Sequence, residues 1–187
     1  CVMLTNAEIE LLARRGVTVA HCPESNLKLA SGIAPVVQML EAGICVGIGT
    51  DGSASNNDVD MFGEMNTAAK IHKVDRLDPT VMSAATTLHA ATMGGARVVG
   101  AERMIGSLEP GKKADCIVLD LNQPHLTPIY NPISHLVYAA RGGDVMHSVI
   151  NGRVVMEHRR LLTIDENAIL ARAAEIGDGF RQRRNAG

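Results

Sequence analysis

Asp51 is the residue best placed to do chemistry. It follows Thr50 and the apolar run I-C-V-G-I-G at residues 44–49. A carboxylate just past the end of a buried strand can ligate a metal ion or carry a proton. An Asp-Gly pair at that point is also the mark of a plain turn. The stretch offers a rival chemistry as well. Gly47, Gly49 and Gly52 spell G-x-G-x-x-G, the pattern of a dinucleotide-binding turn. Such a turn needs a helix that starts at its last glycine, so that backbone N–H groups face the pyrophosphate. Gly52 is followed by S-A-S-N-N-D, which is poor helix material. An acidic residue should end a second strand about 20 residues on. Asp75 stands near that distance but follows A-A-K-I-H-K-V, a helical stretch. Asp51 would sit inside the turn and repel phosphate. The pattern therefore argues against a phosphate cradle, and leaves a strand-end carboxylate or a simple turn.

His21 ends another short apolar run and is the second candidate. The other six histidines form no H-x-H or H-E-x-x-H pair. His72 and His89 fall on helices, His125 follows Pro124, and His135, His147 and His158 lie in C-terminal segments. They read as structural or surface residues. Cys1, Cys22, Cys45 and Cys116 form no C-x-x-C. They read as buried, reduced thiols of a cytoplasmic protein.

The elements that must position Asp51 and His21 alternate. Residues 2–4, 17–21 and 44–49 read as strands. Residues 5–16 read as a helix, with Thr5 and Glu8 spaced as a capping box and Gly16 as its stop. Residues 22–33 have no period and read as a loop. Pro35 opens a helix that Gly43 ends. Residues 61–73 and 78–92 read as helices, the second opened by Asp78 and Pro79, and 93–100 as a further helical piece. Strand, loop and helix in repetition imply parallel strands with helical crossovers. The long polar loops follow His21 and Thr50, where α/β barrels and open sheets place their sites. From about residue 105 the pattern changes. A strand over 115–121, an extended loop, a helix near 133–143 and two strands joined by Asn151-Gly152 point to a small antiparallel sheet. A last helix follows, with Thr163 and Glu166 spaced as a capping box and Ile169, Ala173, Ile176 and Phe180 at helical spacing.

Composition limits the function classes. The 187 residues are 46% apolar and carry a formal net charge of −2. Bulk charge gives no case for nucleic acid or an anionic membrane. Two Tyr, two Phe and no Trp supply few stacking platforms for single strands. No apolar run approaches the roughly 20 residues of a membrane helix.

Residues 21–65 resemble the deaminase and chlorohydrolase branch of the amidohydrolase superfamily. The resemblance rests on H-x-P-x-S-N-x-K-L from His21 to Leu29, G-I-A-P from Gly32 to Pro35 and G-T-D-G-x-x-S-N-N from Gly49 to Asn57. G-S-L-E-P-G-K-K-A-D-C-I-V-L-D-L from Gly106 and N-G-R-V-V-M-E-H-R-R-L-L-T-I-D from Asn151 extend it. Within the branch the likeness is strongest to deaminases of the 5-methylthioadenosine/S-adenosylhomocysteine type. It implies the C-terminal part of a (β/α)8 metal-dependent hydrolase barrel over residues 1–104. A segment of a small β-sandwich domain would follow over 105–164, then a C-terminal helix over 165–187.

The resemblance also implies a role for each matching residue. Asp51 would bind one divalent metal, zinc above all, and pass a proton from the attacking water to the leaving nitrogen. Thr50 and Gly52 would hold its turn. Ser55 and Asn56 would contact substrate or support Asp51, and His21 would face the same mouth, with a purely structural, hydrogen-bonded histidine as the equal alternative. The substrate would be a small purine nucleoside, and a homo-oligomer in the cytoplasm is the expectation. Guanine or triazine rings are the alternative substrates, and a non-catalytic truncated subunit is the alternative role. The family's paired histidines, its later metal-binding histidine and the glutamate after it have no counterpart here. The chain begins at C-V-M-L, where the resemblance places a catalytic histidine just upstream. The expectation is a fragment that neither holds catalytic metal nor turns over substrate alone, and that aggregates for want of the rest of its barrel.

Overall fold

The computed structural model describes residues 1–185. Helix α1, Asn6–Arg14, starts where the capping box is expected. The Thr5 hydroxyl accepts from Glu8 N, and Thr5 N donates to Glu8 Oε2 across 2.7 Å. Gly16 ends it with φ +64°, and strand β1, Val19–His21, follows. Helices α2, Pro23–Lys28, and α3, Val36–Glu41, lead to strand β2, Val46–Ile48. β1 and β2 pair in parallel, with Val19 opposite Val46 and His21 opposite Ile48. Two helices bridge the strands because a parallel pair needs a crossover.

Helix α4, Met61–Arg76, is capped by Asp60, whose Oδ1 accepts from Phe62 N. Helix α5, Ala84–His89, runs through a π-helical segment, Ala90–Gly94, into α6, Gly95–Val98. Ile9, Val19, Val36, Met39, Val46, Ile48, Met65 and Ala68 share one core with residues of the later segments. Strands β3, Cys116–Leu119, β4, Val145–Ile150, β5, Arg153–Glu157, and β6, Arg160–Leu161, form an antiparallel sheet in that order. Helix α7, Pro132–Tyr138, lies between β3 and β4. Asn151 and Gly152 both take positive φ, 51° and 75°, as the turn between β4 and β5 requires.

Five sequence expectations need correction. Residues 2–4 form a turn and not a strand; Met3 is 87% exposed, and no neighbouring strand pairs with the segment among the described residues. Residues 23–28 are helix α2 and not loop, with Pro23 pre-set for a first helical turn. The helix expected from Asp78 starts at Ala84, because Ser83 caps it while Asp78 folds back onto Thr80 N and Oγ1. Helix α8, Glu166–Asn185, is capped by Asp165 rather than Thr163: Asp165 Oδ1 accepts from Ala168 N. The cysteines are free, but Cys1 is exposed and the other three are half-buried. Residues 186–187 of the expected 165–187 unit lie outside the described residues. Ile169, Ile176 and Phe180 of α8 stay exposed. No helix among the described residues is long and apolar enough to cross a membrane.

Candidate active site

The last ladder bond between the parallel strands runs from Gly49 N to His21 O, 2.9 Å. Two residues later Asp51 takes φ +59°, a left-handed conformation that costs a residue with a Cβ. Its carboxylate is exposed but held. Ser25 Oγ donates to Asp51 Oδ2 across 2.8 Å, and Ser55 Oγ donates to the same oxygen across 2.6 Å. Ser25 is on α2 and only 4% exposed, while Ser55 is in the loop after Asp51. The Ser55 and Ser25 hydroxyls, with the Gly52 backbone, hold the Asp51 carboxyl below its usual range. Asp51 is therefore ionised at neutral pH. Both hydroxyls converge on Oδ2, so Oδ1 receives neither.

The loop after Asp51 winds as a tight turn. Ser55 N and Asn56 N both donate to Gly52 O. Lys28 Nζ donates to Ala54 O across 2.8 Å and also bonds Asn57 Oδ1, tying the loop to α2. No helix starts until Met61, so nothing at Gly52 presents a helix N-terminus to a pyrophosphate. The glycines have other work. A Cβ on Gly47 would sit 2.8 Å from Gly95 Cα, and one on Gly94 would sit 2.5 Å from Val46 O. They let the π-helical segment and α6 pack directly on β2.

Asn56 does not reach Asp51. It is buried, with Nδ2 donating to Glu64 Oε1 and Oδ1 accepting from Val59 N across 2.8 Å. Glu64 is on α4 and 0% exposed. Its Oε2 accepts from Glu24 N across 3.1 Å, and Thr67 Oγ1 donates to Glu24 Oε1 across 2.8 Å. Burial pushes the Glu64 carboxyl up to about 7. The Glu24 and Asp58 charges add to this, while the donors on Glu24 N and Asn56 oppose it.

Of the two readings of His21, the structure places the hydrogen-bonded one. Its ring does not open to the mouth beside Asp51 but is buried, with Nε2 3.0 Å from His72 Nε2 and ring centroids 5.0 Å apart. Burial, and then His72, push His21 down to about 3; burial lowers His72 as well. Both rings are neutral at pH 7. His72 Nδ1 has no partner. One of the two Nε2 atoms donates to the other, the direction following the tautomers of the pair. Burial, Glu64 and Asp51 push the Cys22 thiol up, which removes it as a nucleophile at neutral pH.

Of the residues singled out in the sequence, the structure joins Asp51 and Ser55. It sends Asn56 to Glu64 and His21 to His72. Ser25, Glu24, Glu64 and His72 were missed as partners. A charged residue at position 64 on the face that carries Phe62, Met65, Ala68 and Ala69 was the available signal. No group of three or more His, Cys, Asp and Glu side chains among the described residues is arranged to hold a metal ion. Asp51 fits a divalent cation as one anionic oxygen donor. A catalytic zinc takes about three protein ligands, so it does not make a site alone.

The model of the amidohydrolase family matches residues 1–155. This chain belongs to the amidohydrolase family. The 5-methylthioadenosine/S-adenosylhomocysteine deaminase of Syntrophobacter fumaroxidans is 58% identical over 176 residues, 94% of this chain and 40% of the relative. The 5′-deoxyadenosine deaminase of Methanosarcina acetivorans is 48% identical over 186 residues, 100% of this chain and 43% of the relative. Among solved structures, an adenosine deaminase from Xanthomonas campestris with bound zinc superposes with a TM-score of 0.94 at 47% identity. It covers 97% of this chain and 41% of that one. The zinc complex of an atrazine chlorohydrolase from Arthrobacter aurescens gives 0.85 at 31%, covering 93% of this chain and 39% of that one. The chain thus spans about 40% of the length of these relatives, and its fold is that share of the amidohydrolase fold.

Proposed function

We propose that this chain is the C-terminal part of a metal-dependent hydrolytic deaminase of adenine nucleosides, of the 5-methylthioadenosine/S-adenosylhomocysteine type, with Asp51 as its strand-end carboxylate. The observation that carries this reading is the geometry of Asp51. It is an ionised carboxylate past the end of a parallel strand, with one oxygen fixed by two hydroxyls and the other left free of them. The names and identities of the relatives support the substrate class. Relatives with adenine-nucleoside names reach 48–58% identity, against 31% for the chlorohydrolase. The division near residues 104 and 164 and a cytoplasmic location belong to the same reading, the latter resting on the free cysteines.

In the reaction, water adds at C6 of the adenine ring and ammonia leaves, so that the C6–N bond breaks and hypoxanthine forms. A divalent ion held in part by Asp51 would supply a water of lowered pKa, and zinc suits the mixed oxygen and nitrogen donors of such a site. This chain's contribution is Asp51. Ser25 and Ser55 fix Oδ2 and keep the group charged, so Oδ1 is available to a cation or a proton. Asp51 can then take the proton of the incoming water and return it to the departing amine. The further ligands lie outside the described residues, and the isolated chain is expected to be inactive.

The test is a substrate panel with the complete protein that carries these residues. Ammonia release from 5-methylthioadenosine, S-adenosylhomocysteine and 5′-deoxyadenosine is expected. Chloride release from atrazine with no action on the nucleosides would overturn the substrate class.

A further inference from the structure

We infer that Glu64 is a positioning residue for Asp51: its buried carboxylate holds both arms of the serine clamp that fixes Asp51 Oδ2. The inference rests on the reading of Asp51 given above. The two serines come from different elements. Ser25 is the third residue of α2, and Ser55 stands in the loop after Asp51. Glu64 reaches both elements at once. Oε2 accepts from Glu24 N, the neighbour of Ser25, across 3.1 Å, and Oε1 accepts from Asn56 Nδ2, the neighbour of Ser55.

Each contact fills a local need. Cys22 stands at the N-cap of α2 and gives no side-chain cap, so Glu24 N–H lacks a partner within its own helix. Glu64 supplies it. The loop at residues 52–60 has few apolar anchors, and Asn56 is its buried member. Bonded to Glu64 on one side and to Val59 N on the other, Asn56 fixes the loop over α4. Glu64 itself cannot drift. It is 0% exposed, and one and two turns further along the same face of α4 lie Ala68, also 0% exposed, and His72, which meets His21 at the end of β1. A buried carboxyl is costly unless both of its oxygens are satisfied. Here both are, and both donors lead to Asp51 through a serine.

The experiment uses the complete protein, with Glu64→Gln, Asn56→Ala and the pair Ser25→Ala/Ser55→Ala. Zinc affinity is measured alongside kcat and KM. Glu64→Gln places an amide where two donors must be accepted, and is expected to lower kcat or zinc affinity about 10- to 100-fold, with KM little changed. In the Ser25→Ala/Ser55→Ala background the same substitution is expected to cost little more, because its effect passes through the serines. Asn56→Ala cuts the loop arm alone and is expected to give a smaller loss; it decides the matter if Glu64→Gln does not fold. Undiminished kcat and zinc affinity in Asn56→Ala and in folded Glu64→Gln would overturn the inference, as would full additivity with the serine pair. A wild-type protein inactive on every aminated ring would instead overturn the reading of Asp51.

Discussion

Ser25 donates its hydroxyl to Asp51 Oδ2 across 2.8 Å, joining the helix after one parallel strand to the residue that follows the next. With Ser55 on the same oxygen, the bond holds an exposed carboxylate in its charged form. Its folded-state pKa lies below the ordinary 3.8, so the stability it contributes is present above that value and is lost as pH falls through the lowered one. Removing either hydroxyl should raise the Asp51 pKa. The acid limb of kcat/KM is therefore expected at higher pH in Ser25→Ala and in Ser55→Ala, and higher still in the double variant. A limb that stays in place would separate these serines from Asp51.

The buried histidine pair and Glu64 should pull stability in opposite directions with pH. His21 is depressed to about 3, so its contribution is complete above its ordinary 6.5 and is lost as pH falls toward 3. Glu64 is raised to about 7, so its contribution is complete below about 4.5 and is lost as pH rises through 7. Melting temperature against pH, compared between wild type and His21→Asn, isolates the first. The variant is expected to lose less stability between pH 6.5 and pH 4. An identical acid slope would mean that the pair is not neutral in the folded protein.

The glycines of G-x-G-x-x-G should separate by packing and not by nucleotide binding. Gly47→Ala would put a methyl 2.8 Å from Gly95 Cα, whereas Gly52 has open space around it. Overpacking of the first kind costs about 1–3 kcal/mol. A substitution in the second setting costs within about 0.5 kcal/mol. Urea unfolding of the two variants measures the difference. Saturable NAD binding that Gly52→Ala abolishes would restore the dinucleotide reading.

What the sequence made legible was local. The Thr5–Glu8 box, the stops at Gly16 and Gly43, the Asn151-Gly152 turn and the apolar strand before Asp51 each depend on residues within a few positions of one another. Helix α2 was not legible, because its first turn is satisfied by Glu64, 40 residues away. Residues 2–4 had a strand's composition but no strand beside them. His21 had the right place at a strand end, but its side chain faces α4, and only the packed structure puts His72 there. Asn56 was sought beside Asp51 because it is near in sequence, yet a buried amide goes to the strongest acceptor in reach, the Glu64 carboxylate.

Taken alone, the 187-residue chain should not behave as a cooperative unit. Its parallel sheet has two strands, and both outer edges lack a strand partner among the described residues. Leu11, Leu27, Leu29 and, on α8, Ile169 and Phe180 stay exposed. Size-exclusion chromatography and thermal unfolding at low concentration are expected to show association or a broad transition. A monomer with a sharp transition would contradict this.

The central claim is that Asp51 carries the proton and helps hold the metal. Its most direct test is kcat for ammonia release by the complete, zinc-supplied protein, wild type beside Asp51→Asn, with bound zinc measured in both. The amide keeps the shape but cannot take a proton. The expected result is a fall of about 10²- to 10⁴-fold or more with folding little changed. Near-normal kcat in a folded, zinc-bearing Asp51→Asn protein would contradict it.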